Sequence, residues 1–182
     1  MNRSIRRAAI FCSLVLFPTL AAAKLANPTD SVISFRALGP AGMRVEGRTN
    51  KMAVADDGAN IVLTIPVTSL TTGIGLRDKH MHEKYLESAK FPEAEVTVAR
   101  SSLHFPEDGK SVKAWAPATL KLHGKTKPIT LHYKVNRSGN SYNVSGNADV
   151  KVTDYDIELP SHLGVSVKPE VAVDIHFVAQ DL

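Results

Sequence analysis

Apolar and polar positions alternate along most of this chain with a period of two residues. In residues 129–135, for example, Ile129, Leu131, Tyr133 and Val135 alternate with polar side chains. Successive side chains of a β-strand point to opposite faces, so this run predicts a strand with one apolar face. Comparable runs cover residues 31–38, 43–49, 61–67, 94–98, 118–122, 142–150 and 171–177. The pattern therefore predicts eight strands.

Turn-forming residues separate these runs. They occur at residues 56–58, 106–109 and 138–140 and at Gly124. Short turns between consecutive strands predict an antiparallel sheet. Eight strands can close into a barrel just wide enough for one small ligand, although two packed sheets would produce the same alternation. Near the end of the chain, Tyr155, Ile157 and Leu159 are expected to form a further short strand, and Pro160 and Gly164 then indicate a loop.

One insertion interrupts the alternation between residues 76 and 89. Met81, Tyr85, Leu86 and Ala89 recur at the spacing of one helix face. Pro92 indicates where the helix has ended. The sequence therefore predicts an all-β domain with a single helix inserted near residues 76–89.

The N-terminus has the layout of an export signal. Arg3, Arg6 and Arg7 precede an apolar run over residues 8–20, and three alanines end at Ala23. We expect cleavage after Ala23, which leaves a single domain over residues 24–182 in the periplasm or outside a bacterial cell. The run is shorter than the ~20 apolar residues of a membrane-spanning helix. We therefore expect no integral membrane segment after cleavage.

Removal of this signal changes the charge and cysteine content. The whole chain has 22 basic and 18 acidic residues, and three of the basic residues lie in the signal. The remaining domain is nearly neutral and shows no basic stripe interleaved with aromatic residues, so we expect no nucleic-acid partner. Cys12 is the only cysteine and lies in the apolar run, which excludes a disulfide framework in the exported domain.

Two motifs point to a known family. The first combines Ser-Leu-Thr-Thr at residues 69–72, Arg-Asp-Lys-His-Met at residues 77–81 and Phe-Pro at residues 91–92. The second is Leu-Lys-Leu-His-Gly-Lys-Thr-Lys at residues 120–127. In this order and spacing they resemble the YceI-like proteins, and the weaker segment 154–177 extends the resemblance to the C-terminal strand. The chain departs from many members in having Tyr85-Leu86 where they have two phenylalanines.

The resemblance implies a lipocalin-like barrel whose lumen holds an isoprenoid or similar apolar lipid, with a polyprenyl or quinone type as the possible bound group. It implies no enzymatic activity and no other cofactor. Combined with the strand pattern, it predicts a set of lumen and lid residues that contact the ligand. These residues are Ile65, Val67, Leu70, Arg77, Asp78, His80, Met81, Tyr85, Leu86, Phe91, Val96, Val98, Leu120, Leu122, Leu131, Tyr133, Val173, Ile175 and Phe177.

Other functions remain open at this point. His80, His82 and Glu83 are candidate metal ligands, but histidines two apart point to different sides of a helix, so we expect no metal. Arg77 and Asp78 are more typical of residues that tie the helix to the barrel than of a catalytic pair. The alternatives are an enzyme acting on a hydrophobic substrate at the barrel mouth and a stress-related accessory protein with a solid core. The oligomeric state cannot be read from the sequence.

Overall fold

We describe the protein from a computed structural model, over residues 24–25, 28–162 and 165–181. The predicted export signal and Gly164 lie outside these described residues. The main-sheet strands are β1 (Thr29–Leu38), β2 (Arg44–Thr49), β3 (Ala53–Asp56), β4 (Asn60–Pro66), β5 (Glu93–Ala99), β6 (Ser111–Leu122), β7 (Lys125–Ser138), β8 (Ser141–Lys151) and β11 (Glu170–Gln180). Strands β9 (Ser161–His162) and β10 (Val165–Ser166) form a separate small hairpin.

The nine strands form one antiparallel sheet in the order β2-β1-β11-β8-β7-β6-β5-β4-β3. Its two outermost strands, β2 and β3, are consecutive in the chain and only residues 50–52 separate them. Four Cα–Cα steps span at most about 15 Å, whereas a flat sheet of nine strands would be about 38 Å wide. The sheet must therefore curl, and a backbone bridge between Arg48 and Thr71 lies at this seam.

These strands confirm the predicted all-β antiparallel fold. The sheet has nine strands rather than eight because β3 is an additional strand of four residues that the alternation did not reveal. The prediction of a short strand from Tyr155, Ile157 and Leu159 is wrong. Val152–Tyr155 forms a 3-10 turn there, and Asp156 follows with a φ of +56°, which breaks an extended backbone.

The inserted helix is shorter than predicted. It consists of α1 (Gly75–His80) and a π-helical turn over Met81–Tyr85. The Leu86 amide donates to the Met81 carbonyl over 2.8 Å, and Glu87 then adopts a φ of +42°, which ends the helix. Ala89 is consequently exposed and does not extend the apolar face. Within the part of the chain that the structure describes, no helix is long and apolar enough to cross a membrane.

The two ends of the curled sheet differ in their connections. At one end, here called the base, short turns join β3 to β4 and β7 to β8, and residues 100–110 connect β5 to β6. At the other end, here called the mouth, longer connections begin after β4 and after β8. The helical mouth segment covers residues 67–92, between β4 and β5. The return segment covers residues 152–160, after β8.

Apolar side chains fill the interior at the base. Ile61, Val98, Tyr133 and Phe177 are at most 8% exposed and belong to one core cluster. A polar layer closes this end, where the Arg100 guanidinium pairs with the Asp56 carboxylate and both side chains are largely buried. The base is thus a packed core, and any interior space must lie nearer the mouth.

Candidate functional site

A cavity of about 670 Å³ lies inside the sheet between the base core and the mouth. Its walls are almost entirely apolar. The strands contribute Ile33, Phe35, Ala37, Val45, Leu63, Ile65, Ala94, Val96, Leu120, Leu122, Ile129, Leu131, Asn147, Ala148, Val150, Val171, Val173 and Ile175. The mouth contributes Met43, Val67, Leu70, Thr72, Ile74, Leu76, Arg77, His80, Met81, Tyr85, Leu86, Val152, Ile157, Glu158, Leu159, Pro160, Val167 and Lys168.

Strand periodicity explains why these walls are apolar. On β6, Leu120 and Leu122 both face the cavity, and on β11 Val173 and Ile175 do so. Gly146 lies opposite Ile175 in the register, and a Cβ on this glycine would lie 3.1 Å from the Ile175 Cγ2 atom. Because Gly146 has no side chain, the Ile175 side chain has space to pack beside it.

The helical mouth segment places its apolar face over the cavity. Met81, Tyr85 and Leu86 line it, as expected from their helical spacing. Tyr85 and Leu86 also pack against a cluster that includes Tyr155 and Ile157 of the return segment. The two mouth segments therefore share one apolar cluster with the barrel wall.

A small hydrogen-bond network anchors the start of the helix. The Asp78 carboxylate accepts from the Thr71 hydroxyl at 2.6 Å and from the Thr72 amide at 2.7 Å, and also from the Thr72 hydroxyl. The Arg77 Nε donates to the same Thr72 hydroxyl over 2.8 Å. Hydrogen bonds from Thr71 and then Thr72 lower the pKa of Asp78 to about 2. Arg77 and Asp78 thus hold the helix to residues 71–72, which the seam bridge joins to β2.

Few polar residues border the cavity, and apart from Asn147 on β8 they belong to the mouth. Arg77 and His80 come from the helix, and Glu158 and Lys168 come from the chain between β8 and β11. The arrangement combines a long apolar interior with polar groups at one end. It suits a ligand that has a long apolar tail and a small polar head.

The structure brings most of the predicted site residues together around the cavity. Fourteen of them line it: Ile65, Val67, Leu70, Arg77, His80, Met81, Tyr85, Leu86, Val96, Leu120, Leu122, Leu131, Val173 and Ile175. Their contact with a ligand stays a prediction.

The other five predicted residues lie elsewhere. Val98, Tyr133 and Phe177 point inward but belong to the base core, because alternation reports the face of a strand and not the depth along the barrel. Asp78 is engaged by Thr71 and Thr72, as described above. Phe91 packs against the His123 ring outside the cavity, with ring centroids 4.5 Å apart.

Several cavity residues were missed by the sequence reasoning. Val45, Leu63, Ile129 and Val150 lie on the apolar faces of predicted strands, so the alternation already indicated their inward position. Residues of the return segment, from Ile157 to Pro160, are a different case. Ile157 and Leu159 alternate with polar residues, but the strand that this alternation predicted does not form, and only their packing at the mouth brings them to the cavity.

The candidate metal ligands on the helix do not converge. The His82 Nε2 lies 2.9 Å from the Leu70 carbonyl oxygen, whereas His80 borders the cavity. Across the described residues, no group of three or more histidine, cysteine, aspartate or glutamate side chains could hold a metal ion. The structure therefore offers no positive indication of a metal centre.

This chain matches the model of one known protein family. A model of the YceI-like domain matches residues 25–179, which is nearly the whole described region. The chain belongs to the YceI-like family. The resemblance of the two motifs to this family is thereby confirmed.

Curated relatives of this YceI-like chain carry only a family label. A UPF0312 protein of Yersinia pestis (strain Pestoides F) is 34% identical over 110 residues, which is 57% of this chain and 53% of the relative. A UPF0312 protein of Yersinia enterocolitica is 31% identical over the same shares. The match spans about half the length of these relatives.

Solved structures share the fold of this YceI-like chain. A polyisoprenoid-binding domain from Saccharophagus degradans aligns with a TM-score of 0.75 at 21% identity, covering 88% of this chain and 99% of that domain. Burkholderia cenocepacia BcnA aligns with a TM-score of 0.66 at 21% identity, covering 82% of this chain and 96% of BcnA. At these identities the alignments establish the fold alone.

Proposed function

We propose that this protein binds a long-chain apolar lipid, of the isoprenoid class, in the cavity under the mouth. The cavity itself carries the proposal, because apolar side chains line most of about 670 Å³ of interior space and the few polar residues, apart from Asn147, lie at the mouth. The polyisoprenoid-binding domain from Saccharophagus degradans, which shares the fold, supports the choice of ligand class.

The size of the cavity sets the scale of the interaction. A methylene group occupies about the volume of a water molecule, roughly 30 Å³, so the cavity has room for about 20 carbon atoms. Each buried methylene stabilises the complex by about 0.8 kcal/mol before the costs of association. A lipid tail can therefore be retained without strong polar contacts, and Arg77, His80, Glu158 and Lys168 would contact its head.

We further propose that the protein acts outside the cytoplasm as a carrier and not as an enzyme. The signal-like N-terminus in the sequence supports export. The hydrogen bonds of Arg77 and Asp78 go to Thr71 and Thr72, which fits a role in holding the helix in place. A cavity with almost wholly apolar walls is suited to retention of a ligand. The same cavity argues against the solid core of the accessory-protein alternative.

Native mass spectrometry of protein purified without detergent, followed by organic extraction, tests this function. We expect a bound lipid that is recovered chemically unchanged after prolonged incubation. Protein that carries no lipid and takes up none of an added series of polyprenyl alcohols would contradict the proposal. Conversion of the lipid during incubation would instead support the enzyme alternative.

A substitution in the helical mouth segment tests the role of the mouth. Tyr85→Ala removes a ring that lines the cavity and packs against the cluster that includes Tyr155 and Ile157 of the return segment. We expect faster release of a bound fluorescent lipid from a barrel that remains folded. An unchanged release rate with a lowered melting temperature would show that Tyr85 serves packing alone.

A further inference from the structure

His123 occupies the point where the two mouth segments meet. It lies in the two-residue turn between β6 and β7, and its side chain is only 9% exposed. Its Nε2 is 2.8 Å from the Glu87 Oε2 of the helical mouth segment. Its Nδ1 is 2.9 Å from the Tyr155 carbonyl oxygen in the return segment. One imidazole ring therefore connects both segments to the barrel wall.

Both partners of this ring are hydrogen-bond acceptors. A carboxylate and a carbonyl oxygen can only accept, so each ring nitrogen must carry a hydrogen for both bonds to form. A neutral imidazole has one such hydrogen, and the imidazolium has two. The observed geometry is therefore complete only when His123 is protonated.

The backbone around this contact is unusual. Glu87, His123 and Asp156 have φ values of +42°, +50° and +56°. Non-glycine residues adopt positive φ rarely and at a cost, unless the surrounding structure holds them there. Three such residues, one from each segment that meets at the ring, indicate that this junction is maintained by its contacts.

The other charges near the ring come from β7, the return segment and the helical mouth segment. Lys125 of β7 forms an ion pair with Asp156, and Lys127 lies close enough to help lower the pKa of that aspartate. Phe91 packs on the imidazole, and the Lys90 Nζ lies 4.9 Å from the Phe91 ring centroid. Glu87 is the carboxylate that directly contacts the ring.

We propose that protonated His123 is a clamp that holds the helical mouth segment and the return segment together over the cavity, and that its deprotonation loosens the mouth. Loss of one ring hydrogen leaves Glu87 or the Tyr155 carbonyl without its partner. A rise in pH that removes one of the two ring hydrogens should therefore open the mouth. His123 is thus a positioning residue, and its link to ligand retention rests on the proposed lipid binding.

Glu87→Gln offers a decisive variant. The glutamine amide can donate to the Nε2 of a neutral ring while the Nδ1–H still donates to the Tyr155 carbonyl, so both contacts persist without a charge on the histidine. This variant should keep the mouth closed at high pH. A role in packing alone would not predict that rescue. Glu95→Gln is the matched control, because Glu95 pairs with Lys121 over 2.7 Å on the outer face of the sheet.

The first measurement uses amide hydrogen exchange, corrected for the intrinsic effect of pH, over residues 81–88 and 152–157 between pH 5.5 and 8.5. We expect protection in the unaltered protein and in Glu95→Gln to fall about tenfold with rising pH, in line with the loss of one charge-assisted hydrogen bond. Protection in Glu87→Gln should stay constant. His123→Asn, which suits the positive φ, should show low protection at every pH.

The second measurement follows transfer of a pyrene-labelled long-chain alcohol, which does not titrate in this range, to phosphatidylcholine vesicles. Release should accelerate with pH in the same variants that lose protection. Protection that is independent of pH in the unaltered protein, or that falls equally in Glu87→Gln, would overturn the clamp. Failure to bind any probe would contradict the lipid proposal, and the exchange data would still decide the clamp.

Discussion

The base and the mouth of this barrel are built from the same alternating strands, yet they contain different interiors. On β5, Val96 lines the cavity whereas Val98, two residues further along the same face, lies in the base core at 4% exposure. The difference comes from what closes each end. The base is closed by two short turns, the connection 100–110 and a buried ion pair, and the mouth by the helical mouth segment and the return segment, which share one apolar cluster above the cavity. Stability and ligand retention should therefore be separable.

The largest expected effect comes from the ion pair at the base. The Asp56 carboxylate pairs with Arg100 and accepts from the Leu25 amide at 3.2 Å. Asp56→Ala would leave a largely buried guanidinium without this partner, so we expect the free energy of unfolding to fall by about 3–5 kcal/mol. Urea denaturation measures the change. Glu46→Ala is the control, because its pair with Arg36 is exposed and should matter by less than about 1 kcal/mol.

Release of a bound lipid probe provides the second part of this test. Asp56 lies at the base and away from the cavity, so folded Asp56→Ala protein should release the probe at the unaltered rate. Faster release by the folded variant would show that the base and the mouth are coupled.

A pair of tryptophan substitutions compares the two interiors directly. Val98→Trp adds volume to the packed base and should destabilise the protein by about 1–3 kcal/mol or more. Leu122→Trp projects into the cavity, where space is available, and should displace the lipid with little change in stability. Thermal melting and lipid content are measured for both variants. Similar destabilisation by both would show that the cavity cannot accept an extra side chain.

A smaller effect is expected at Tyr133, whose hydroxyl accepts from the His104 amide over 2.8 Å. Tyr133→Phe removes this bond near the base and should cost about 1 kcal/mol of unfolding free energy. Tyr85→Phe changes the same atom at the mouth and should leave stability within about 0.5 kcal/mol. Equal losses in the two variants would contradict the distinction between the two ends.

The smallest expected effect concerns acid pH and the tether of the helix. Because the pKa of Asp78 in the folded protein is lowered to about 2 from 3.8, its contribution is fully present above about pH 4 and disappears as pH falls through 2. Asp78→Asn should therefore release the lipid probe faster than the unaltered protein at pH 5. The two release rates should converge near pH 2. If the difference between the two release rates stays constant down to pH 2, the ionised Asp78 carboxylate is not what slows lipid release.

The sequence alone carried the fold class, because strand periodicity and turn residues are local properties of the chain. It also placed Met81, Tyr85 and Leu86 on the cavity side of the helix, since side chains at helical spacing share one face. The family motifs located the helix and the β6–β7 turn. Even the tether role of Arg77 and Asp78 followed from their adjacency.

Tertiary structure alone decided how deep each inward side chain lies along the strands, which segments close the two ends, and which distant segments meet. Alternation could not separate Val96 from Val98, since both point inward and only the closing elements determine which of them meets a cavity. The alternation of Tyr155, Ile157 and Leu159 predicted a strand that does not form, so Ile157 and Leu159 reach the cavity through tertiary packing. The convergence of Glu87, His123 and Tyr155 required three parts of the chain up to 68 residues apart to meet at one ring. No local pattern specifies such a meeting, because it depends on how the whole sheet curls.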